Sequence, residues 1–297
     1  MNTFKSKWLV GSMAAGMLAL GSQAAVAGIA GSQHDFTPSG AAQGAGGSNV
    51  EICAFCHTPH AADASFVGAP LWNKSFDIAG RNYGGGESGR YSALSTSTLD
   101  GSEAVVGSVS LACLSCHDGS QAMDVVINAP GQDLGGGTYN PSGTIAAMTS
   151  GGLNSIAAIG ADSAQLKNDH PISIEYAGGR GTTALPAGGE QTYSDFVDPD
   201  FNPMKSALKN STQYWYFDDD SNNRIDKDEI RLYNRSDVAG ADMPYVECGS
   251  CHDPHNTASN YDTGIATSAD SLADGTTTDF LRKSNANSDI CLTCHNK

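Results

Sequence analysis

All eight cysteines of this 297-residue chain fall in four pairs of identical spacing, and a histidine follows every pair at once. The four strings are Cys53-Ala-Phe-Cys56-His57, Cys113-Leu-Ser-Cys116-His117, Cys248-Gly-Ser-Cys251-His252 and Cys291-Leu-Thr-Cys294-His295. Two thiols three positions apart on one helical turn can each add to a vinyl group of a haem. The next residue then presents its imidazole to the iron from the same side. Other chemistries account for less of the pattern. Disulfides suit an exported chain, but they have no use for a histidine after each pair. Zinc knuckles use CxxC pairs without requiring a histidine beside every second cysteine. A thioredoxin-like redox pair would occur once, inside a βαβ unit. The repeat therefore predicts four covalent haem c groups, with thioethers from the eight cysteines and proximal iron ligands at His57, His117, His252 and His295.

Four histidines stand outside the motifs: His34, His60, His170 and His255. Four irons each need one more axial ligand, so the count closes with nothing left over. His60 and His255 occur in the related strings Cys-His-Thr-Pro-His and Cys-His-Asp-Pro-His, and His170 lies in Asn168-Asp169-His170-Pro171, where Asp169 could orient its second nitrogen. His60 is three residues past His57 and cannot easily cross to the far face of the same macrocycle. It is expected to serve the second-motif haem, and His255 the fourth-motif haem, which would bring paired macrocycles almost into contact. Methionine is the competing distal ligand. Met123, Met148, Met204 and Met243 repeat no pattern near a motif, which favours two imidazoles on every iron.

A second pattern lies between the second and third motifs, from Asp218 to Glu229. Set against the twelve-residue calcium loop, Asp218, Asp220 and Asn222 take positions 1, 3 and 5. Arg224 offers its carbonyl at 7, Asp226 sits at 9, and Glu229 is the bidentate ligand at 12. Asn223 replaces the usual glycine at position 6, and asparagine tolerates the left-handed conformation that position demands. One Ca2+ in a structural role is expected, the alternative being a solvated acidic turn.

The elements that position these groups are harder to read. Charged residues are 16% of the chain, aromatics 7%, and glycine fills 35 positions, so a large protein core is not expected. The expected fold class is a multihaem cytochrome c, mostly loop with short α-helices and little β-structure, its core built around four haems. Ser110 is placed to cap a turn at the second motif, with Gly119 after it. Ser288-Asp289 could open a helix at the fourth motif, and Pro244 one before the third. Asn154–Lys167 is the best ordinary helix. Trp72, Trp215 and Tyr216 could pack on haem faces or serve as plain core aromatics.

Residues 1–27 read as an export signal, with Lys5 and Lys7 ahead of an apolar run and Ala25-Val26-Ala27 as a cleavage signature. The expected layout is a leader at 1–27 and one tetrahaem domain over 28–297, with a calcium-loop insert at about 215–232. No later segment is apolar for long enough to span a bilayer. The formal charge of −16 repels condensed phosphate polyanions and excludes nucleic acid as a partner.

The chain resembles the tetrahaem filament-forming cytochromes of extracellular electron transfer, the OmcE-type nanowire subunits. The resemblance rests on His34-Asp35, Cys-Ala-Phe-Cys-His-Thr-Pro-His at 53–60, Pro70-Leu-Trp-Asn73 and Cys-Leu-Ser-Cys-His-Asp-Gly at 113–119. It continues through Asn-Asp-His-Pro-Ile at 168–172, Cys-Gly-Ser-Cys-His-Asp-Pro-His at 248–255 and Phe280-Leu-Arg282. It implies a homopolymer with bis-histidine haems in a continuous chain, one distal imidazole being donated by a neighbouring subunit, and His34 is the candidate donor. Redox partners would be other cytochromes or extracellular acceptors. Three functions stand at this point: an extracellular filament subunit, a monomeric periplasmic electron shuttle, and a multihaem reductase. A reductase needs an iron with an open position beside acid–base groups, and the ligand count leaves none, so the chain is expected not to be an enzyme.

Overall fold

The computed structural model describes residues 29–30, 32–37, 51–64, 68–75, 101–118, 126–128, 170–179, 191–209, 212–235, 238, 243–255, 280–283 and 285–296. The leader, the helix expected at Asn154–Lys167, and the positions of Gly119, Met123, Met148 and Asp169 lie outside the described residues.

Between positions 191 and 246 the chain departs from its own average. Tyr193, Phe196, Phe201, Tyr214, Trp215, Tyr216, Phe217, Tyr233 and Tyr245 all fall there. Aromatic side chains fit a pleated, half-buried surface, and this stretch builds most of a sheet. Its strands are β1 (Ile174–Glu175), β2 (Gln191–Tyr193), β3 (Met204–Lys209), β4 (Thr212–Tyr216), β5 (Arg231–Asn234) and β6 (Pro244–Val246). Their order is β1-β6-β5-β4-β3-β2, and every neighbouring pair is antiparallel. This corrects the expected fold class. The protein is not mostly loop with little β-structure around a haem core, because a six-stranded sheet carries a protein core of its own. The chain-wide aromatic fraction concealed the local concentration. Pro244 opens β6 rather than a helix, at the first strand position, where a missing N–H is tolerated.

One sheet face gathers Ile174, Tyr176, Tyr193, Met204, Trp215, Phe217, Ile230, Leu232 and Val246 into a cluster, with Phe196, Phe201, Ile290 and Cys294 packed against it. Trp215 and Tyr216 are both fully buried, and Trp215 belongs to this cluster as a core aromatic. Met204 is buried there too. Tyr176 sets edge-on contacts to Phe196 and Phe201 at 5.2 and 5.0 Å, a favoured aromatic geometry. Its hydroxyl lies 2.9 Å from the Asn202 carbonyl and 3.1 Å from that of Cys294. The sheet core is thus bonded directly to the fourth cysteine pair.

Three α-helices carry cysteine motifs: α1 (Ser108–His117), α2 (Cys248–Cys251) and α3 (Asp289–Cys294). The first motif sits on a 3-10 turn, Ile52–Phe55. Around α1 a second cluster joins Ala69, Val106, Leu111, Ala112, Leu114 and Ile172, with Trp72 and Cys248 against it. A small third cluster pairs Phe36 with Phe55 beside Cys56. Ser110 does not cap α1. It lies within the helix, whose N-cap is Gly107, and its hydroxyl is used elsewhere. Among the described residues, no helix is long and apolar enough to cross a membrane.

Candidate functional site

Each Cys-x-x-Cys-His string is one helical turn. The N–H of His57, His252 and His295 donates to the carbonyl of the first cysteine of its own motif, at 2.9, 3.0 and 2.9 Å. His117 ends α1, which also carries Cys113 and Cys116. No disulfide joins any of the eight cysteines. Burial pushes the Cys56 and Cys294 thiols up to about 12 and that of Cys251 up to about 11, so these sulfurs are neutral thiols in apolar surroundings.

The motifs adjoin in chain order. After burial itself, the neighbouring Cys116 raises Cys56, and Cys291 is among the neighbours that raise Cys251. Cys113 and Cys248 share a hydrogen bond, which raises the first thiol and lowers the second. The middle two motifs therefore touch, as the first two and the last two do. A buried polar junction draws them together. The Ser110 hydroxyl of α1 donates to Glu247 Oε2 at 2.5 Å and accepts from the Cys248 N–H at 2.9 Å. Arg235 Nη1 donates to Glu247 Oε1 at 2.9 Å and its Nη2 to the Val105 carbonyl at 2.7 Å, while Ser173 donates to Glu247 Oε2 at 3.0 Å. Both charged side chains of this junction are about fully buried, at 1% exposure each.

The histidines fall into facing sets. The rings of His34 and His117 have centroids 6.0 Å apart at 81°, and those of His57 and His255 are 6.1 Å apart at 16°. With metal–imidazole bonds of about 2 Å on each side and ring centres about 1 Å further back, two imidazoles across one metal ion stand on the order of 6 Å apart. Both sets meet that separation. His57 Nδ1 lies 2.7 Å from the Pro70 carbonyl, His170 Nδ1 2.9 Å from the Pro171 carbonyl, and His255 Nδ1 3.1 Å from Asp253 Oδ1. These acceptors require the proton on Nδ1, which leaves Nε2 with a lone pair for a metal. Burial first, and His117 next, lower His34 to about 4, so it is neutral at physiological pH. Its Nδ1 is buried without a hydrogen-bond partner. The Pro254 backbone hydrogen-bonds the same ring, so a neutral imidazole with one unpartnered nitrogen stands beside a second imidazole, and this donor set fits haem.

The facing partners differ from those expected. His255 faces the first-motif histidine rather than the fourth, and His34 faces the second-motif histidine, the position expected for His60. The reason is the fold: the third motif lies against the second, which carries its trailing His255 back toward the first. His34 also faces a histidine of its own chain rather than standing out toward a neighbour. Of the four histidines outside the motifs, His60 and His170 are the exposed pair. His170 is oriented by the Pro171 carbonyl. Trp72 meets the His57 ring edge-on at 5.8 Å and donates to the Ser115 hydroxyl at 3.2 Å.

Sequence reasoning passed over Asp253, which accepts from His255, although an acid two residues before a histidine was visible. It also passed over Arg235 and Glu247, which pair with each other across 12 residues and bond Ser110, Ser173 and Val105 more than sixty residues away, contacts that leave no local signal.

The twelve residues from Asp218 to Glu229 close the hairpin between β4 and β5, where Phe217 N–H donates to the Ile230 carbonyl at 3.0 Å. Strands flank this loop rather than helices. Carboxylate oxygens of Asp218, Asp220 and Glu229 lie within 4.8 Å of one another. Asp218 Oδ1 accepts from the Asn222 N–H at 3.0 Å, and Glu229 accepts from the N–H groups of Asp219 and Asp226 at 3.1 and 2.8 Å. Asn223 has φ of 61°, the left-handed backbone expected at its position. Asp226 and Asn222 are joined side chain to side chain at 2.5 Å; Arg224 is exposed, 3.9 Å from Asp226. Burial raises Glu229 to about 7, against the two N–H bonds, and Asp218 and Asp226 add to the rise. Three converging carboxylates suit a hard cation such as Ca2+. The Lys205 ammonium of β3 already holds Asp218 Oδ2 at 2.5 Å and bonds Asn223 Oδ1, so a cation would have to displace it.

Comparison of the chain with protein families, with curated proteins and with solved structures finds no match.

Proposed function

We propose that this protein transfers electrons through four c-type haems, one on each Cys-x-x-Cys-His turn. The observation that supports this most is the pair of facing imidazole sets at 6.0 and 6.1 Å. Haem iron, when bound, supplies a one-electron couple whose potential its axial ligands set. The chain does the rest. Its thiols anchor the macrocycles, and His57, His117, His252 and His295 ligate from the near side. The Pro70 carbonyl and Asp253 hold the His57 and His255 rings in the ligating tautomer. Turns that adjoin in chain order keep neighbouring cofactors close. With His34, His60, His170 and His255 as the four distal ligands, every iron is saturated and none is open to a substrate. The protein is therefore a conduit rather than an enzyme. A single Ca2+ in the β4–β5 loop is structural.

The chain is exported, and its setting is an extracellular filament of identical subunits that hands electrons to other cytochromes or to an external acceptor. Because His34 faces His117 within its own chain, the exposed His60 and His170 are the imidazoles that a neighbouring subunit can reach. The same intrachain pairing favours, as the second reading, a monomeric periplasmic shuttle. Intact mass and low-temperature spectroscopy test the haem reading. Four covalent porphyrins and only low-spin iron are expected; a mass equal to the bare polypeptide, or a high-spin iron, overturns it. Light scattering separates the two settings, since a protein that stays monomeric at high concentration is a shuttle.

A further inference from the structure

We infer that the segment Phe280–Leu281–Arg282 is a strap that positions two of the imidazoles, His34 and His255; the inference rests on the haem reading above. The segment is bonded along the third motif. Leu281 pairs with His252 in an antiparallel bridge, the Asp253 N–H donates to the Phe280 carbonyl at 2.7 Å, and the Arg282 N–H donates to the Cys251 carbonyl at 2.8 Å. From this fixed backbone one side chain reaches a ring, and another reaches the aspartate that holds a second ring.

Phe280 lies over His34, its ring centroid 4.2 Å away and tilted by 31°. That contact blocks rotation of the ring that meets His117 at 81°. Phe280 has φ of 71°, a conformation uncommon for a bulky residue, so the strap imposes its direction against local preference.

Arg282 is buried. Its Nε donates to the Gly249 carbonyl at 2.8 Å, and its Nη1 donates to the Lys227 carbonyl at 2.9 Å and to Asp253 Oδ2 at 3.3 Å. The other Asp253 oxygen accepts from His255 Nδ1. Arg282 therefore fixes Asp253, and Asp253 fixes the ring that meets His57 at 16°. Second-sphere partners of this kind set ring orientation and ligand basicity. Phe280 and Arg282 each act through another group, so both are positioning residues, and one short segment serves two sites.

The two ring angles give separate handles. A low-spin iron between near-perpendicular imidazoles has a highly anisotropic paramagnetic resonance signal, and one between near-parallel imidazoles has a rhombic signal. In the haem-loaded full chain, Phe280→Ala should shift an anisotropic component and leave the rhombic one of the His57–His255 site in place. Arg282→Gln should do the reverse, and Asp253→Asn should reproduce the Arg282→Gln shift without removing the arginine. Phe280→Tyr, which keeps the ring, should restore the original signal. The proposal is overturned if the variants retain four haems and both signals stay unchanged. It is equally overturned if either variant moves both components alike, since that is general loosening rather than positioning. Should Arg282→Gln not take up its haems, Asp253→Asn decides that branch. Haem count and spin state of the unmodified chain are measured first, so failure of the haem reading is distinguished from failure of the strap.

Discussion

Replacing Arg235 by methionine isolates the buried junction between the second and third motifs. Arg235 and Glu247 are each 1% exposed, and they meet at 2.9 Å. Removing one partner of a buried ion pair leaves a desolvated charge and costs about 3–5 kcal/mol. For a chain of this size that corresponds to a fall in melting temperature on the order of 10 °C. The two serine hydroxyls that still reach Glu247 set the lower end of the range. Glu247 adds a pH dependence. Burial, opposed by Arg235, Ser110 and Ser173, raises its carboxyl from an ordinary 4.5 to about 7. A proton held more tightly in the folded state stabilises most below the unfolded value, and the contribution is lost as pH rises toward the folded one. Without Arg235 the folded value climbs further, so the deficit of Arg235→Met should be small at pH 5 and widen through pH 7 to 8. The double variant Arg235→Met with Glu247→Leu removes both charges and should recover most of the lost stability, because an apolar replacement of a buried pair is often neutral or better. Thermal melts followed by far-ultraviolet dichroism, at three pH values, form the double-mutant cycle. Equal melting temperatures of Arg235→Met and the parent at pH 8 would falsify the account, as would a double variant no better than the single one.

The remaining expectations concern the loop and the sheet. Calcium at 100 times its dissociation constant should stabilise the protein by about 2.7 kcal/mol, read as a rise in melting temperature that a chelator reverses and Glu229→Gln abolishes. Because Glu229 is raised to about 7 and must lose its proton to bind a cation, calcium affinity should increase from pH 5 to pH 8. Isothermal titration showing the opposite trend counts against the site. Lys205→Met removes the ammonium on Asp218 and should tighten calcium binding; weaker binding would mean that Lys205 supports the site rather than competing. Gly249→Ala would place a Cβ 2.5 Å from Tyr233 Oη and 2.9 Å from Val109 Cγ1, and such overpacking costs about 1–3 kcal/mol in a chemical melt. Trp215→Ala empties a fully buried site in the sheet core and should cost about 3–5 kcal/mol; a loss below about 1 kcal/mol would show that the sheet core does not carry this region.

The helical turns of the cysteine motifs and the convergence of the acidic loop could be read directly from the residues, because both depend on spacings of a few positions. An i, i+3, i+4 pattern sets three side chains on one turn whatever lies elsewhere, and a twelve-residue loop aligns its own oxygens. Asn223 shows this: its left-handed backbone follows from its place in the loop alone. The sheet escaped because its strands are two to six residues long, its aromatics were averaged over the whole chain, and its register joins segments such as Ile174 and Val246. Which imidazole faces which was beyond local reading for the same reason. His255 meets His57, and His34 meets His117, only once distant segments have packed, as in the junction of Ser110, Arg235 and Glu247, whose bonded members are 12 to 137 residues apart. Pairings at that separation are selected by packing and by the need to satisfy buried polar groups, and those are properties of the folded chain as a whole.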